Sequence, residues 1–156
     1  MKKCHAGYPV IADYLLIGLL IAGAFTLYEV SADSIPVHYN FTGEADIYGN
    51  PAVLFFIPVF SIGLYLLLKW VKRFPGSFNY PVKLNENNQA RQQQLALALL
   101  DVYGMLTLIA FNLLQLHLVF NALTASHRLI WIWGPVILIS YVAPIPVYLR
   151  KAYSST

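Results

Sequence analysis

The chain has 156 residues, of which 58% are hydrophobic and 11% charged, with a mean hydropathy of +0.60. A soluble domain carries about 25% charged residues, so this composition excludes an ordinary water-soluble globule and points to a single membrane domain. The net charge of +3 follows from where the basic residues lie, and it gives no ground for nucleic-acid binding.

Lys2 and Lys3 lead into a first apolar run, Val10–Val30. Ala22-Gly23-Ala24 has the small-x-small look of a signal-peptide cleavage site. The run continues to Tyr28, longer than a signal core, so an uncleaved first span is expected. Gly18-x-x-x-Ala22 within it permits helix pairing. Cys4 is the only cysteine, which excludes an intramolecular disulfide, and no metal or redox motif surrounds it.

Between the first and second spans, Ile35, Val37, Tyr39 and Phe41 alternate with Pro36, His38, Asn40 and Thr42. Period two predicts a short extended segment with an apolar face and a polar edge carrying His38 and Asn40. Gly43 and Gly49 are expected at turn positions, with Asp46 between them able to cap a turn or meet His38. His38, Asn40, Gly43 and Asp46 are therefore the candidate ligand-binding residues. Asn40-Phe41-Thr42 also has the form of a glycosylation acceptor.

A second span, Pro51–Val71, opens with Asn50 as a cap and Pro51 at the first helical position, where its missing N–H costs nothing. Pro58 predicts a kink. A polar connector, Phe74 to Gln94, holds Phe78, Asn79, Tyr80 and Pro81 as a candidate partner-docking surface. Asn85 and Asn88 form a cap pattern from which a helix could run straight into the third span, Leu95–Phe120. In that span Asp101, Asn112 and Gln115 lie close to one line at about 100° per residue, an intramembrane polar stripe suited to interhelical hydrogen bonds. The fourth span, Leu129–Leu149, contains Pro135, Pro144 and Pro146, which predict kinks or broken ends.

The expected architecture is an all-α membrane protein: four transmembrane helices with both termini inside and an extended external loop between spans one and two. Nine of the ten basic residues (Lys2, Lys3, Lys69, Lys72, Arg73, Lys83, Arg91, Arg150 and Lys151) then lie inside, leaving Arg128 outside. Trp70, Trp131 and Trp133 fall near the predicted interfaces.

Two motifs carry a resemblance. Pro36-x-His38-x-Asn40-x-x-Gly43-x-x-Asp46-x-x-Gly49, entering a span, resembles the N-terminal domain of SdpI-type bacterial membrane proteins. The connector Phe74–Asn88 is similar to the Pro…Phe-Asn-Tyr-Pro…Asn segment of the stand-alone relatives. The resemblance implies a multi-pass protein of the bacterial inner membrane, and for the longer, typically six-span namesake it implies toxin immunity and capture of a repressor. Four spans are legible here, and no namesake residue beyond the loop is carried over.

Three function classes follow. The first is a non-enzymatic binding or regulatory protein, of immunity or envelope-stress type, that recognises a peptide or lipid at His38, Asn40 and Asp46. The second is an accessory subunit with a membrane-protein partner. The third is a metal-dependent enzyme, for which His38, His117, His127 and Asp46 (or Glu44) are zinc-compatible residue types without a recognised spacing. Ser126-His127 is merely adjacent, and no G-x-S-x-G stretch exists, so no catalytic residue and no cofactor is expected.

Overall fold

The computed structural model describes residues 10–30, 34–124 and 133–154. Lys2, Lys3, Cys4, His127, Arg128, Trp131 and the first residues of the fourth predicted span lie outside these segments. The described chain is predominantly helical: α1 (Val10–Val30), a hairpin of β1 (Ile35–Tyr39) and β2 (Ala45–Gly49), a 3-10 turn (Pro51–Phe55), α2 (Phe56–Val71), α3 (Gln89–Thr124), α4 (Trp133–Val142) and α5 (Pro144–Tyr153).

The apolar runs become helices, with informative departures at their ends. Asn50 caps as its sequence implies, its Oδ1 accepting from the Ala52 N–H at 2.8 Å. The segment it starts is a 3-10 turn over Pro51–Phe55 before α2 begins. Pro58 therefore sits in the first turn of α2, where its missing N–H has no helical role. The irregularity expected at Pro58 is the 3-10 to α junction just ahead of it.

Asn85 and Asn88 form a reciprocal box: Asn88 N–H donates to Asn85 Oδ1 and Asn85 N–H to Asn88 Oδ1, both at 2.9 Å. This is capping-box geometry built from two asparagines, a closer match than the sequence pattern implied. From it α3 runs uninterrupted for 36 residues, about 54 Å. The fourth predicted span is broken. α4 stops at Val142, and α5 begins at Pro144, which has no N–H to continue the ladder.

The core is a seam of three helices. Leu20 of α1, Tyr65 of α2 and Leu108 of α3 form one buried cluster, bordered by Leu16, Ile17, Ile57 and Phe111. A second cluster joins Leu27, Ile35 and Leu54, with Leu118 and Val119 against it. Ile35 thus roots the hairpin in the mouth of the seam. Phe55 reinforces this end, with the rings of Phe25 and Tyr28 at 5.3 and 5.6 Å.

The α4–α5 arm lies along α3. The Tyr103 hydroxyl donates to the Tyr141 carbonyl at 3.0 Å, the two rings stack at 5.8 Å, and Gln92 Nε2 donates to the Ala152 carbonyl at 2.9 Å. The described helices accordingly form an all-α fold, a three-helix seam with an attached arm.

Large apolar side chains cover the outer faces: Leu15 and Leu19 on α1, Phe56 and Val59 on α2, Leu116 on α3, and Leu138 and Ile139 on α4, each more than 60% exposed. A soluble protein rarely tolerates such continuous apolar surface. Among the described residues, one helix, Gln89–Asn121, is long and apolar enough to cross a membrane.

Candidate functional site

The hairpin is closed by Asn40. Its backbone N–H donates to the Glu44 carbonyl and its own carbonyl accepts from the Gly43 N–H, both at 2.9 Å. Its side-chain Oδ1 collects the N–H groups of Thr42 (3.0 Å) and Glu44 (2.9 Å) and the Thr42 hydroxyl (2.7 Å). Three donors on one carbonyl oxygen make Asn40 the organiser of the turn. Gly43 has φ of 80°, the left-handed residue that such a loop needs. Gly43→Val is expected to lower the unfolding midpoint, with a loss of about 1–2 kcal/mol, measurable by thermal denaturation of the purified protein.

Gly49, expected at a turn, is instead the end of β2. A Cβ there would meet Val37 Cγ1 at 2.9 Å, so glycine is needed for close strand approach.

The strand register carries two compensating bulges. Pairs run Ile35↔Gly49, Pro36↔Tyr48, His38↔Ile47 and Tyr39↔Ala45, which leaves Val37 extra on β1 and Asp46 extra on β2. Bulges re-aim side chains. Here they defeat the simple alternation: Ile35 is buried and Tyr39 half-buried, while Val37 and Phe41 point outward, Phe41 99% exposed.

They also bring two residues together. His38 Nδ1 lies 2.6 Å from Asp46 Oδ1, with side-chain exposures of 59% and 41%. An ionised carboxylate only accepts, so Nδ1 carries the proton and Nε2 is left as the ring's second polar atom. The result is an oriented imidazole on an exposed edge, able to accept a hydrogen bond when neutral and to donate one when protonated.

The other predicted residues are scattered. His117 of α3 is buried and pairs with Asn121 at 3.1 Å. Burial lifts the Tyr39 phenol above its ordinary range, with Asn121 beside it. His117 thus belongs to the seat beneath the hairpin. His127 lies outside the described residues, and among these no group of three or more His, Cys, Asp or Glu side chains stands close enough to hold a metal ion.

In the connector, the Tyr80 hydroxyl turns inward to donate to the Pro75 carbonyl at 2.6 Å, and burial, with Tyr148 nearby, raises its pKa. Phe78 packs on Tyr80 at 6.2 Å and Pro81 is half-buried, while Asn79 is exposed.

The predicted polar stripe divides into three different environments. Asp101 pairs with Lys72, the residue that follows α2. Asn112 Nδ2 donates to the Leu16 carbonyl of α1 at 3.0 Å and to the Leu108 carbonyl at 2.8 Å. Gln115 is buried beneath Gly23 of α1, where an added Cβ would meet its side chain at 3.2 Å.

One cluster escaped the sequence reading. Asp13 is buried in the seam, where it accepts from the Tyr65 hydroxyl and lies 3.2 Å from Lys69 Nζ. The Lys69 ammonium also stands 4.9 Å over the Tyr65 ring. Together with Lys72 and Asp101, these residues line one small cavity at the end of the seam remote from the hairpin. Two lysines three residues apart at the end of α2, facing single acidic residues on α1 and α3, were the available signal.

The motif-bearing unit is recognisable elsewhere. Residues 15–62 match a family described as a domain of unknown function (DUF1648). The match runs from α1 through the hairpin to the first turns of α2. Comparison with characterised proteins and with solved structures found no match. The α1–hairpin–α2 unit is therefore the part of this chain that the family model covers, which is compatible with the SdpI-type resemblance of its loop.

Proposed function

We propose that this chain is a small multi-pass protein of the bacterial inner membrane, of SdpI-like type, that recognises a ligand non-enzymatically at its external hairpin and acts in regulation or immunity. The observation that carries the reading is the exposed, oriented His38–Asp46 pair on a rigidly built hairpin whose root is buried in the helical seam.

The membrane setting draws on several features. α1 has 21 residues, about 31 Å of helix, comparable to the hydrocarbon thickness. The 3-10 turn and α2 give a second apolar run, and α4 with α5 a third that is broken at Ala143. Continuous apolar outer faces and interior polar pairing are what a bilayer demands. With the amino terminus inside, Glu29, Glu44 and Asp46 lie on the hairpin side, and no Lys or Arg occurs between Lys3 and Lys69.

The test is purification in mild detergent of wild type beside the His38→Ala/Asp46→Ala double variant, with mass spectrometry of everything bound, metals included. Retention of the fold with loss of a bound peptide or lipid is the expected result. The same stoichiometric protein partner on both would favour an accessory subunit, and a metal lost only from the variant would favour an enzyme. Either outcome refutes the reading.

A further inference from the structure

We infer that the ligand taken by the hairpin is a cationic, apolar peptide that binds in extended form by adding a strand to the free edge of β2; this rests on the hairpin being the recognition site. The sheet has two strands, and among the described residues β2 pairs only with β1. An edge strand presents a row of backbone donors and acceptors, a ready template for strand addition. β1 is the poorer template, because Pro36 lacks an N–H and Ile35 is buried in the seam. β2, Ala45–Gly49, contains no proline, and Asp46, Ile47 and Tyr48 are all exposed.

Side chains around that edge state the chemistry of the partner. Val37, Phe41, Ile47 and Tyr48 supply exposed apolar surface. Glu44 and Asp46 supply negative charge, and no Lys or Arg occurs from Ala6 to Leu68. A peptide alternating basic and apolar residues would meet both, because successive side chains of a strand face opposite sides. Competing occupants fit worse. An anionic membrane surface is repelled by these carboxylates. A second copy joined edge to edge would bring Asp46 and Glu44 against their own kind.

The experiment places wild type in phosphatidylcholine nanodiscs, with empty nanodiscs as control, and titrates a labelled synthetic peptide of alternating lysine and valine with blocked ends. A glutamate-for-lysine peptide and one N-methylated along a single edge are run in parallel. Saturable binding of the lysine peptide, absent from empty nanodiscs, is expected. Affinity should drop about tenfold or more for the N-methylated peptide, which cannot complete the edge hydrogen bonds. A comparable drop is expected for Asp46→Asn, whose fold is checked by its unfolding midpoint.

Equal binding of the N-methylated peptide, equal uptake by empty nanodiscs, or no saturable binding overturns strand addition. If no peptide binds but purified wild type carries another ligand that the His38→Ala/Asp46→Ala variant loses, the hairpin remains the recognition site and only the peptide assignment falls. If neither peptide nor other ligand is found, both fall.

Discussion

Asp13→Leu is expected to destabilise the fold by about 3 kcal/mol, read as a lowered unfolding midpoint in detergent. The carboxylate it removes is buried and accepts the Tyr65 hydroxyl of α2. Leucine would leave that hydroxyl, in the apolar cluster of Leu20 and Leu108, without its acceptor. Lys69 contributes less, since its side chain is 43% exposed and its ammonium can turn toward water.

A double-mutant cycle separates these contributions. Asp13 and Tyr65→Phe should couple by about 1.5–2 kcal/mol, and Asp13 with Lys69→Met by under about 1 kcal/mol. The cycle matters because α2 is tied twice at this end, to α1 through Lys69 and Asp13 and to α3 through Lys72 and Asp101. Loss of Asp13 without a change in midpoint would mean that packing alone holds α2 in register.

The helices were the most legible part of the fold. Long apolar runs satisfy their backbone groups most simply as helices, and they became α1, α2 and α3. α1 has the bounds expected, α2 begins after a 3-10 turn, and α3 starts six residues before and ends four after the expected span, with Asn50 and Asn85 marking two starts. The hairpin was half legible. Period-two alternation revealed β1, but Ala45–Gly49 has no alternation to read, and the bulges at Val37 and Asp46 shift side chains away from the faces that periodicity assigns. Gly43 was read correctly because a tight turn needs a left-handed residue. Gly49 was misread because its requirement is for space beside Val37, a contact between distant residues. Asp13 was missed for the same kind of reason: its partner Tyr65 stands 52 residues away on another helix. Spacing along one helix carries no record of such approaches.

Gln115→Leu should stabilise the protein by about 1–2 kcal/mol, the reverse of a normal core substitution. Gln115 is 2% exposed, and neither its Nε2 nor its Oε1 has a hydrogen-bond partner among the described residues. A buried amide without partners carries its full desolvation cost, and leucine has similar bulk without that penalty. Asn112→Leu on the same helix should do the opposite, losing about 1 kcal/mol, because Asn112 bridges to the Leu16 carbonyl of α1. Opposite signs would show that the stripe is not a continuous polar path. Asp101 and Asn112 would fasten helices, while Gln115 would be held at a cost to stability beside the apolar groove of about 490 Å³ between α1 and α3. If Gln115→Leu instead destabilises by more than about 0.5 kcal/mol, the amide is hydrogen-bonded in the working protein. The groove it lines would then hold a polar occupant in the working protein.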